Sequence, residues 1–161
     1  MNHAMHHGHQ MATSVSLNQL ALSATIHCLT GCAIGEILGM LIGMSLGWGT
    51  WSTIALSVAL AFFFGYGLTL IPLLRSGLAV GSALLLALAS DTISITIMEI
   101  IDNAVMLIIP GAMTAGPLSG LFWASMIFSL LLAGTAAYPV NRWLIKRGRG
   151  HAVVHSAHAH Q

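Results

Sequence analysis

Charged side chains are scarce in this 161-residue sequence, at 6% of the chain, whereas 57% of its residues are hydrophobic. Soluble domains carry about 25% charged residues, and a soluble protein with so few would expose large apolar patches. The chain has only two cysteines, Cys28 and Cys32, in one apolar stretch, so they provide no disulfide framework. No signal peptide is apparent, because residues 1–19 lack Lys and Arg and no cleavage site follows a short apolar core. We therefore predict an integral membrane protein.

Four long apolar stretches make up most of the chain, at about 20–47, 51–74, 78–109 and 118–140. Each exceeds the roughly 20 residues that a helix needs to cross a hydrocarbon core of ~30 Å, and turn signals separate them. The predicted fold is an all-α integral membrane protein, a four-transmembrane-helix bundle over 20–140. A His/Met-containing tail (1–19) precedes it, and a basic and then His-rich tail (141–161) follows it. We expect both tails to be disordered without a ligand.

The basic residues set the predicted orientation. All five fall in the second loop or after the fourth helix: Arg75, Arg142, Lys146, Arg147 and Arg149. Four helices place those two regions on one side of the membrane, and the other two loops contain no Lys or Arg. The positive-inside rule assigns that side, with both termini, to the cytoplasm.

All four carboxylates of the chain lie inside predicted helices: Glu36, Asp91, Glu99 and Asp102. Each costs about 2.5–3.5 kcal/mol near a helix centre on insertion scales. At 100° per residue, the three acids of the third helix share an arc of roughly 80° with Met98 and Met106. Ile100 and Leu107 lie largely off this stripe. We predict that the acids face the interior of the bundle rather than lipid.

Few groups are available to neutralise these acids. No Lys or Arg lies within a helix core, and His27 is the only other basic group there. The remaining options are protonation, hydrogen bonds, hydration or a bound cation. On one reading, protonated acids specify helix packing by bonding to polar neighbours, namely Thr92, Ser94, Thr96 and Asn103. On the other reading, which is more typical of intramembrane acids, they mark an ion or proton path.

Two ladders with four-residue spacing run along the first helix. One contains soft and acidic side chains: Cys28, Cys32, Glu36, Met40 and Met44. The other contains glycines: Gly31, Gly35, Gly39, Gly43 and Gly47. Small residues at this spacing let two helix backbones approach closely, so the glycines predict a helix-packing surface.

The two thiols suit a metal better than a disulfide. Cβ atoms four residues apart on a helix lie about 5–6 Å from each other, whereas a disulfide needs ~3.5–4.5 Å. Cys and Met suit Cu(I), and Cys with His also suits Zn(II), although free Cys and Met are ordinary helix filling too. The predicted metal-site residues are His27, Cys28, Cys32, Glu36, Asp91, Glu99 and Asp102. Five further residues are predicted weak relay positions: Met40, Met44, Met98, Met106 and Asn103.

The relative depth of the first and third helices can also be predicted, because both cross the membrane in the same direction. If the two helices start level, a thiol faces Asp91, Glu36 faces Glu99 and Met44 faces Met106. This pairing would form a polar seam between them.

Eight of the nine histidines lie in the tails: His3, His6, His7, His9, His151, His155, His158 and His160. Short His-rich tracts suggest metal binding. The N-terminal cluster could capture metal at the cytoplasmic face, although mobile tails also tolerate histidines without a purpose.

Four long runs of the sequence resemble a bacterial membrane family known as domain of unknown function 4396. They are ATIHCLTGCAIGEILGM, GYGLTLIPLLRSGL, DTISITIMEIIDNAVMLIIPGAM and YPVNRWLIKRGRGHAVVH. The resemblance covers roughly residues 24–155 and implies a four-helix inner-membrane fold without supplying an activity. The functional positions that the resemblance carries over are His27, Cys28, Cys32, Glu36, Asp91, Glu99, Asp102 and Asn103. The N-terminal histidines lie outside the range that the resemblance covers.

Two functions stay open. The favoured one is handling or translocation of a metal cation, above all copper, through the intramembrane Cys/His/carboxylate site. The alternative is a non-transporting membrane scaffold or assembly factor whose acids and glycines specify helix packing. We expect no enzyme, because the chain shows no nucleotide loop, no nucleophile with a positioned base and no sizeable extramembrane domain. Expected partners are the lipid bilayer and a second copy or another membrane protein, without nucleic acid; the expected cofactor is a Cu or Zn ion.

Overall fold

The computed structural model describes residues 16–147, which form four long α-helices and one short 3₁₀ turn. The helices are α1 (Leu17–Ser45), α2 (Thr50–Arg75), α3 (Val80–Ile108) and α4 (Gly120–Lys146), and the 3₁₀ turn is Ala112–Thr114. All four helices are long and apolar enough to cross a membrane. The prediction of an all-helical chain with four candidate spans is therefore confirmed for the described residues.

The bundle has two ends that differ in composition. One end, called here the terminal end, carries the start of α1, the α2–α3 turn and the end of α4. The other end, called the two-loop end, carries the α1–α2 and α3–α4 loops. Of the basic residues, Arg75, Arg142, Lys146 and Arg147 lie at the terminal end. Arg149 and all eight tail histidines lie outside the described residues.

Helix α1 begins three residues earlier than the sequence pattern indicated, because Ser16 and Gln19 form a capping box. The Ser16 amide donates to Gln19 Oε1 at 3.0 Å, and the Gln19 amide donates to Ser16 Oγ at 3.3 Å. The helix ends before Gly47, whose φ of +66° is in the left-handed region that glycine accepts without strain. Gly47 therefore belongs to the turn and not to the glycine ladder.

Helix α4 continues to Lys146, six residues past its predicted end and through Pro139. Contacts with the start of α1 explain this extension. Asn141 Nδ2 donates to Thr25 Oγ1 at 2.9 Å, and Arg142 Nε donates to Asn18 Oδ1 at 2.8 Å. These bonds between α1 and α4 stabilise the helical conformation of this segment, which Pro139 by itself would disfavour.

The buried bond between Asn141 and Thr25 yields a first prediction. Asn141→Ala should lower the free energy of unfolding by about 0.6–1.5 kcal/mol, since it removes one interhelical hydrogen bond. Unfolding in mixed detergent micelles measures this. Thr135→Ala is the matched control, because exposed Thr135 bonds to the Leu131 carbonyl of its own helix. An equal loss in both variants would contradict a specific role for the α1–α4 bond.

The glycine ladder packs α1 onto α2. A Cβ atom added at Gly31 would lie 2.6 Å from Gly65 Cα. Cβ atoms at Gly35 and Gly39 would overlap Ala61 and Ser57, and one at Gly43 would overlap Thr53. Helix α2 thus offers its own small residues at four-residue spacing: Thr53, Ser57, Ala61 and Gly65. The two backbones approach too closely for any larger side chain between them.

The acid stripe faces the interior of the bundle. Asp91, Glu99 and Asp102 are at most 4% exposed, whereas Ile100 is 63% exposed. Glu36 of α1 is also buried, at 2%. The helical arc predicted from the sequence therefore has the expected orientation, with aliphatic side chains on the outer surface of α3.

Candidate functional site

A line of buried polar and sulfur-containing side chains runs between α1 and α3, and we call it the seam. Helix α1 contributes Cys28, Cys32, Glu36 and Met40, and α3 contributes Asp91, Ser94, Glu99, Asp102 and Met106. Most successive members are three or four residues apart, so they lie one helical turn, or about 5–6 Å, from each other along the bundle. The seam therefore consists of stacked levels rather than one cluster.

The levels pair α1 with α3 in a parallel register. Cys28 lies beside Asp91 and Ser94, and Cys32 lies beside Glu99. At the third level the carboxyl groups of Glu36 and Asp102 lie against each other. Met40 and Met106 share a buried cluster at the fourth level.

This register differs from the predicted one by about one turn. Cys28 lies beside Asp91 as expected, but Glu36 meets Asp102 most directly, and Met40 takes the place predicted for Met44 beside Met106. The assumption that the two helices start level was wrong. The residue pairs place α1 about one turn farther toward the two-loop end, relative to α3, than level starts would require.

The level nearest the terminal end is a hydrogen-bonded network. His27 Nε2 lies 3.0 Å from Thr69 Oγ1 of α2, and Ser90 Oγ donates to Asp91 Oδ1 at 2.8 Å. Thr69 and His27 also interact with the Asp91 carboxyl. Asp91 is therefore surrounded by polar neighbours from three helices, and His27 is committed to this network.

The first two levels contain the two thiols. Cys28 and Cys32 are both free and 1% exposed. Met98, one of the predicted relay residues, is buried in the same cluster. Asn103 Nδ2 donates to the Glu99 carbonyl at 2.9 Å and approaches Glu99 Oε2 at 3.4 Å, so the carboxyl group that it contacts is that of Glu99.

The Glu36–Asp102 level borders a small inner cavity. The cavity leaves about 10 Å³ for the centre of a water-sized particle, which is close to the minimum for one water molecule. Its lining includes Glu36, Met40, Ser57, Asp102 and Met106. Within the described residues, neither carboxylate oxygen of Glu36 has a hydrogen-bond partner, and neither does Asp102 Oδ1. Two adjacent acids with unpartnered oxygens are energetically costly unless a proton or a cation is shared between them.

The seven predicted metal-site residues do not assemble into one site. Among residues 16–147, no group of three or more His, Cys, Asp or Glu side chains is close enough to hold a metal ion. The physical reason is the stacking of levels: the donors of α1 and α3 are spread over successive helical turns instead of converging at one depth. At the same depths, α2 and α4 present mainly small residues, such as Ala61, Ala133 and Ser129.

Two of the polar residues proposed as partners of the acids point elsewhere. Thr92 Oγ1 donates to the Leu88 carbonyl and lies 2.9 Å from the Tyr66 hydroxyl. Thr96 Oγ1 donates to the Thr92 carbonyl. Both threonines therefore satisfy their hydroxyl groups within or beside their own helix. Ser94 Oγ has no hydrogen-bond partner within the described residues and lies beside Cys28, so the packing reading retains Asn103 only.

Several residues around the seam were not predicted from the sequence. Ser129 of α4 lies beside Asp102, and Ser90 and Thr69 contact Asp91. Met113, in the α3–α4 loop, lines the inner cavity. A small-residue ladder on α4 at four-residue spacing, Ser125, Ser129, Ala133 and Ala137, could have indicated its buried face. Nothing in the loop sequence singled out Met113.

Comparisons with known proteins identify the family of this chain but give no information on its activity. Neither the curated proteins nor the solved structures contain a significant match to this chain. A family model described as a domain of unknown function, DUF4396, matches residues 17–150. That range spans all four helices and the whole seam, and it confirms the resemblance seen in the sequence. The chain therefore belongs to the family of domain of unknown function 4396.

Proposed function

We propose that the protein spans a bacterial inner membrane four times and handles or translocates a cation along the seam, with Cu(I) as the favoured ion. The proposed orientation has the terminal end, with both tails, in the cytoplasm. It rests on the clustering of Arg75, Arg142, Lys146 and Arg147 at that end, together with the absence of Lys and Arg from both loops at the other end.

The observation that carries the proposal is the Glu36–Asp102 pair. Both side chains are at most 3% exposed, their carboxyl groups are adjacent, and they border a cavity for a single small particle. Among the described residues, Lys and Arg lie only at the terminal end of the bundle, away from this pair, and cannot balance its negative charge. A cation or a proton between the two carboxyl groups is the neutralisation that this arrangement supports best.

The stacked pairs favour Cu(I) over Zn(II). Structural Zn(II) sites are almost always four-coordinate, and no three His, Cys, Asp or Glu side chains among the described residues are close enough to share an ion. Cu(I) accepts fewer ligands and prefers soft donors such as thiolate and thioether sulfur. The seam supplies those at three levels, through Cys28, Cys32 and the Met40–Met106 pair. Levels about 6 Å apart would let an ion move stepwise along the helices.

The scaffold function is the second candidate, and the glycine ladder favours it. The α1–α2 contact is specified by Gly31, Gly35, Gly39 and Gly43. Ser90 and Asn103 donate hydrogen bonds to carboxylate oxygens of the acid stripe, on Asp91 and Glu99. In that case the seam acids would be protonated packing elements, and the protein would bind no metal.

Elemental analysis of the purified protein separates the two functions. Protein from copper-supplemented cells should hold about one equivalent of copper, and Cys28→Ser/Cys32→Ser should hold less than half of that, since each serine removes one soft ligand. Serine is nearly isosteric with cysteine, so the fold should persist, and circular dichroism provides that control. Less than about 0.2 equivalents in both proteins would favour the scaffold.

A further inference from the structure

Met113 lies at the junction of three cavities at the two-loop end. It lines the inner cavity beside Glu36 and Asp102. It also lines two larger cavities at the surface, of about 280 and 160 Å³. Met44 and Thr50 border the first of these, and Met106 and Thr50 border the second. Met113 therefore separates the buried carboxyl pair from the two surface cavities.

The loop backbone fixes the position of Met113. Gly111 has a φ of +81°, which starts the 3₁₀ turn, and the Thr114 amide donates to the Gly111 carbonyl at 3.2 Å. Ala112 is completely buried in the cluster that contains Met40, Met106 and Phe122. This buried alanine anchors the turn on the bundle, while the next side chain, Met113, stays half-buried at the surface.

Three methionines from three different elements meet at the inner cavity. Met40 comes from α1, Met106 from α3 and Met113 from the loop, and all three line the same space of about 10 Å³. Among the described residues, no three His, Cys, Asp or Glu side chains deeper in the seam converge on one point. Thioether sulfur is a soft ligand that suits Cu(I) rather than Na⁺, Mg²⁺ or Ca²⁺. The buried, unpartnered carboxylate of Glu36 supplies the negative charge that a monovalent cation would neutralise.

The geometry points to a three-thioether site, formed by Met40, Met106 and Met113, that accepts a soft monovalent metal ion at the two-loop end and passes it to the Glu36–Asp102 pair. This inference deepens the proposed function and rests on it. With the proposed orientation, the site faces the non-cytoplasmic side of the membrane and is the entrance to the seam from that side. Met113 is the selective ligand, because it alone of the three lines both surface cavities as well as the inner cavity.

Silver ion is the probe for this site, since Ag(I) is a redox-stable analogue of Cu(I) with the same preference for soft donors. The experiment uses the full chain in phosphatidylcholine nanodiscs. Met113→Leu removes the sulfur and nearly keeps the volume, and it should weaken Ag(I) binding roughly tenfold or more. X-ray absorption should show about one fewer sulfur ligand per silver ion in this variant than in the wild type.

Met126→Leu is the matched control. Met126 is buried in the same methionine-containing cluster as Met40 and Met106 but does not line the inner cavity. Its substitution should leave Ag(I) affinity unchanged. Met106→Leu is the second test variant and should lose affinity as Met113→Leu does. Equal affinity in the wild type and both test variants would overturn the three-thioether site.

The test keeps the two proposals apart. Glu36→Gln reports on the cation role of the carboxyl pair, and Met113→Leu reports on the thioether ligand. If Glu36→Gln loses metal uptake while Met113→Leu retains wild-type Ag(I) binding, the proposed function stands and the methionine site is wrong. If the wild-type protein binds neither Ag(I) nor Cu(I), both proposals are wrong.

Discussion

Glu36→Gln is expected to abolish metal-ion uptake and, in the absence of metal, to stabilise the bundle. The amide has the same shape as the carboxyl group but carries no charge. A cation about 4 Å from a carboxylate gains roughly 4 kcal/mol at an effective dielectric constant of 20, which corresponds to roughly a thousandfold in affinity. Rearrangement of neighbouring groups reduces this figure, so we expect a loss of at least about a hundredfold. Uptake of Cu(I) into proteoliposomes measures it.

The gain in stability has a separate cause. Neither Glu36 oxygen has a hydrogen-bond partner within the described residues, whereas the amide N–H that the Glu36→Gln substitution introduces could donate to the adjacent Asp102 carboxyl. Removing a buried unpartnered charge should therefore raise the free energy of unfolding of the metal-free protein by about 1 kcal/mol or more. Opposite effects on function and stability are typical of a residue that is retained for function.

Glu36→Asp is the conservative control for this experiment. It keeps the charge on a shorter side chain, and it should retain measurable uptake where Glu36→Gln has none. Wild-type uptake by Glu36→Gln would refute a cation role for the carboxyl pair. A loss of stability in Glu36→Gln as large as that expected for Asn141→Ala would instead support the scaffold function.

Gly35→Ala is expected to produce the largest loss of stability from a single added methyl group. The new Cβ would overlap the backbone of Leu60 and Ala61, and a backbone cannot move aside as a flexible side chain can. The α1 and α2 helices would have to separate, at a cost of about 1–3 kcal/mol. Unfolding in mixed detergent micelles, followed by tryptophan fluorescence, measures this change.

Gly67→Ala is the matched control, because it makes the same substitution on α2 where nothing lies within 4 Å of the new Cβ. Alanine is the better helix former by up to about 1 kcal/mol. The same chemical change should therefore destabilise at position 35 and leave stability unchanged or higher at position 67. A loss of similar size at both positions would show that the α1–α2 contact does not depend on the missing side chain.

The candidate spans and the inward orientation of the acids follow from local sequence features. Hydrophobic length identifies the four helices, and a periodicity of 3.6 residues places Asp91, Glu99 and Asp102 on one face. These properties belong to single helices and need no knowledge of their neighbours. The four-residue spacing from Gly31 to Gly43 is likewise a property of one helix alone.

The residue pairs that α1 and α3 form across the seam cannot be predicted from single helices. Which acid meets Glu36 depends on how far α1 slides along α3, and a slide of one turn exchanges Glu99 for Asp102. The depth of α1 depends on its close packing against α2, which is a contact between helices. The end of α4 depends similarly on the bond from Asn141 to Thr25, which joins residues 116 positions apart. The position of Met113 depends on the left-handed backbone at Gly111 and on the burial of Ala112 against the bundle, and the loop sequence reveals neither.

The unequal packing around α1 bears on how the seam could open. Helix α1 contacts α2 far more extensively than it contacts α3, and backbone-to-backbone contact along the glycine ladder leaves no room for sliding. An ion that travels between α1 and α3 needs those two helices to part and close again. If an ion does move there, a rocking of the α3–α4 hairpin against the α1–α2 hairpin would part α1 from α3 and keep the close contact along the glycine ladder. A disulfide that locked α1 to α2 would then leave such a motion intact, whereas one between α1 and α3 would stop it.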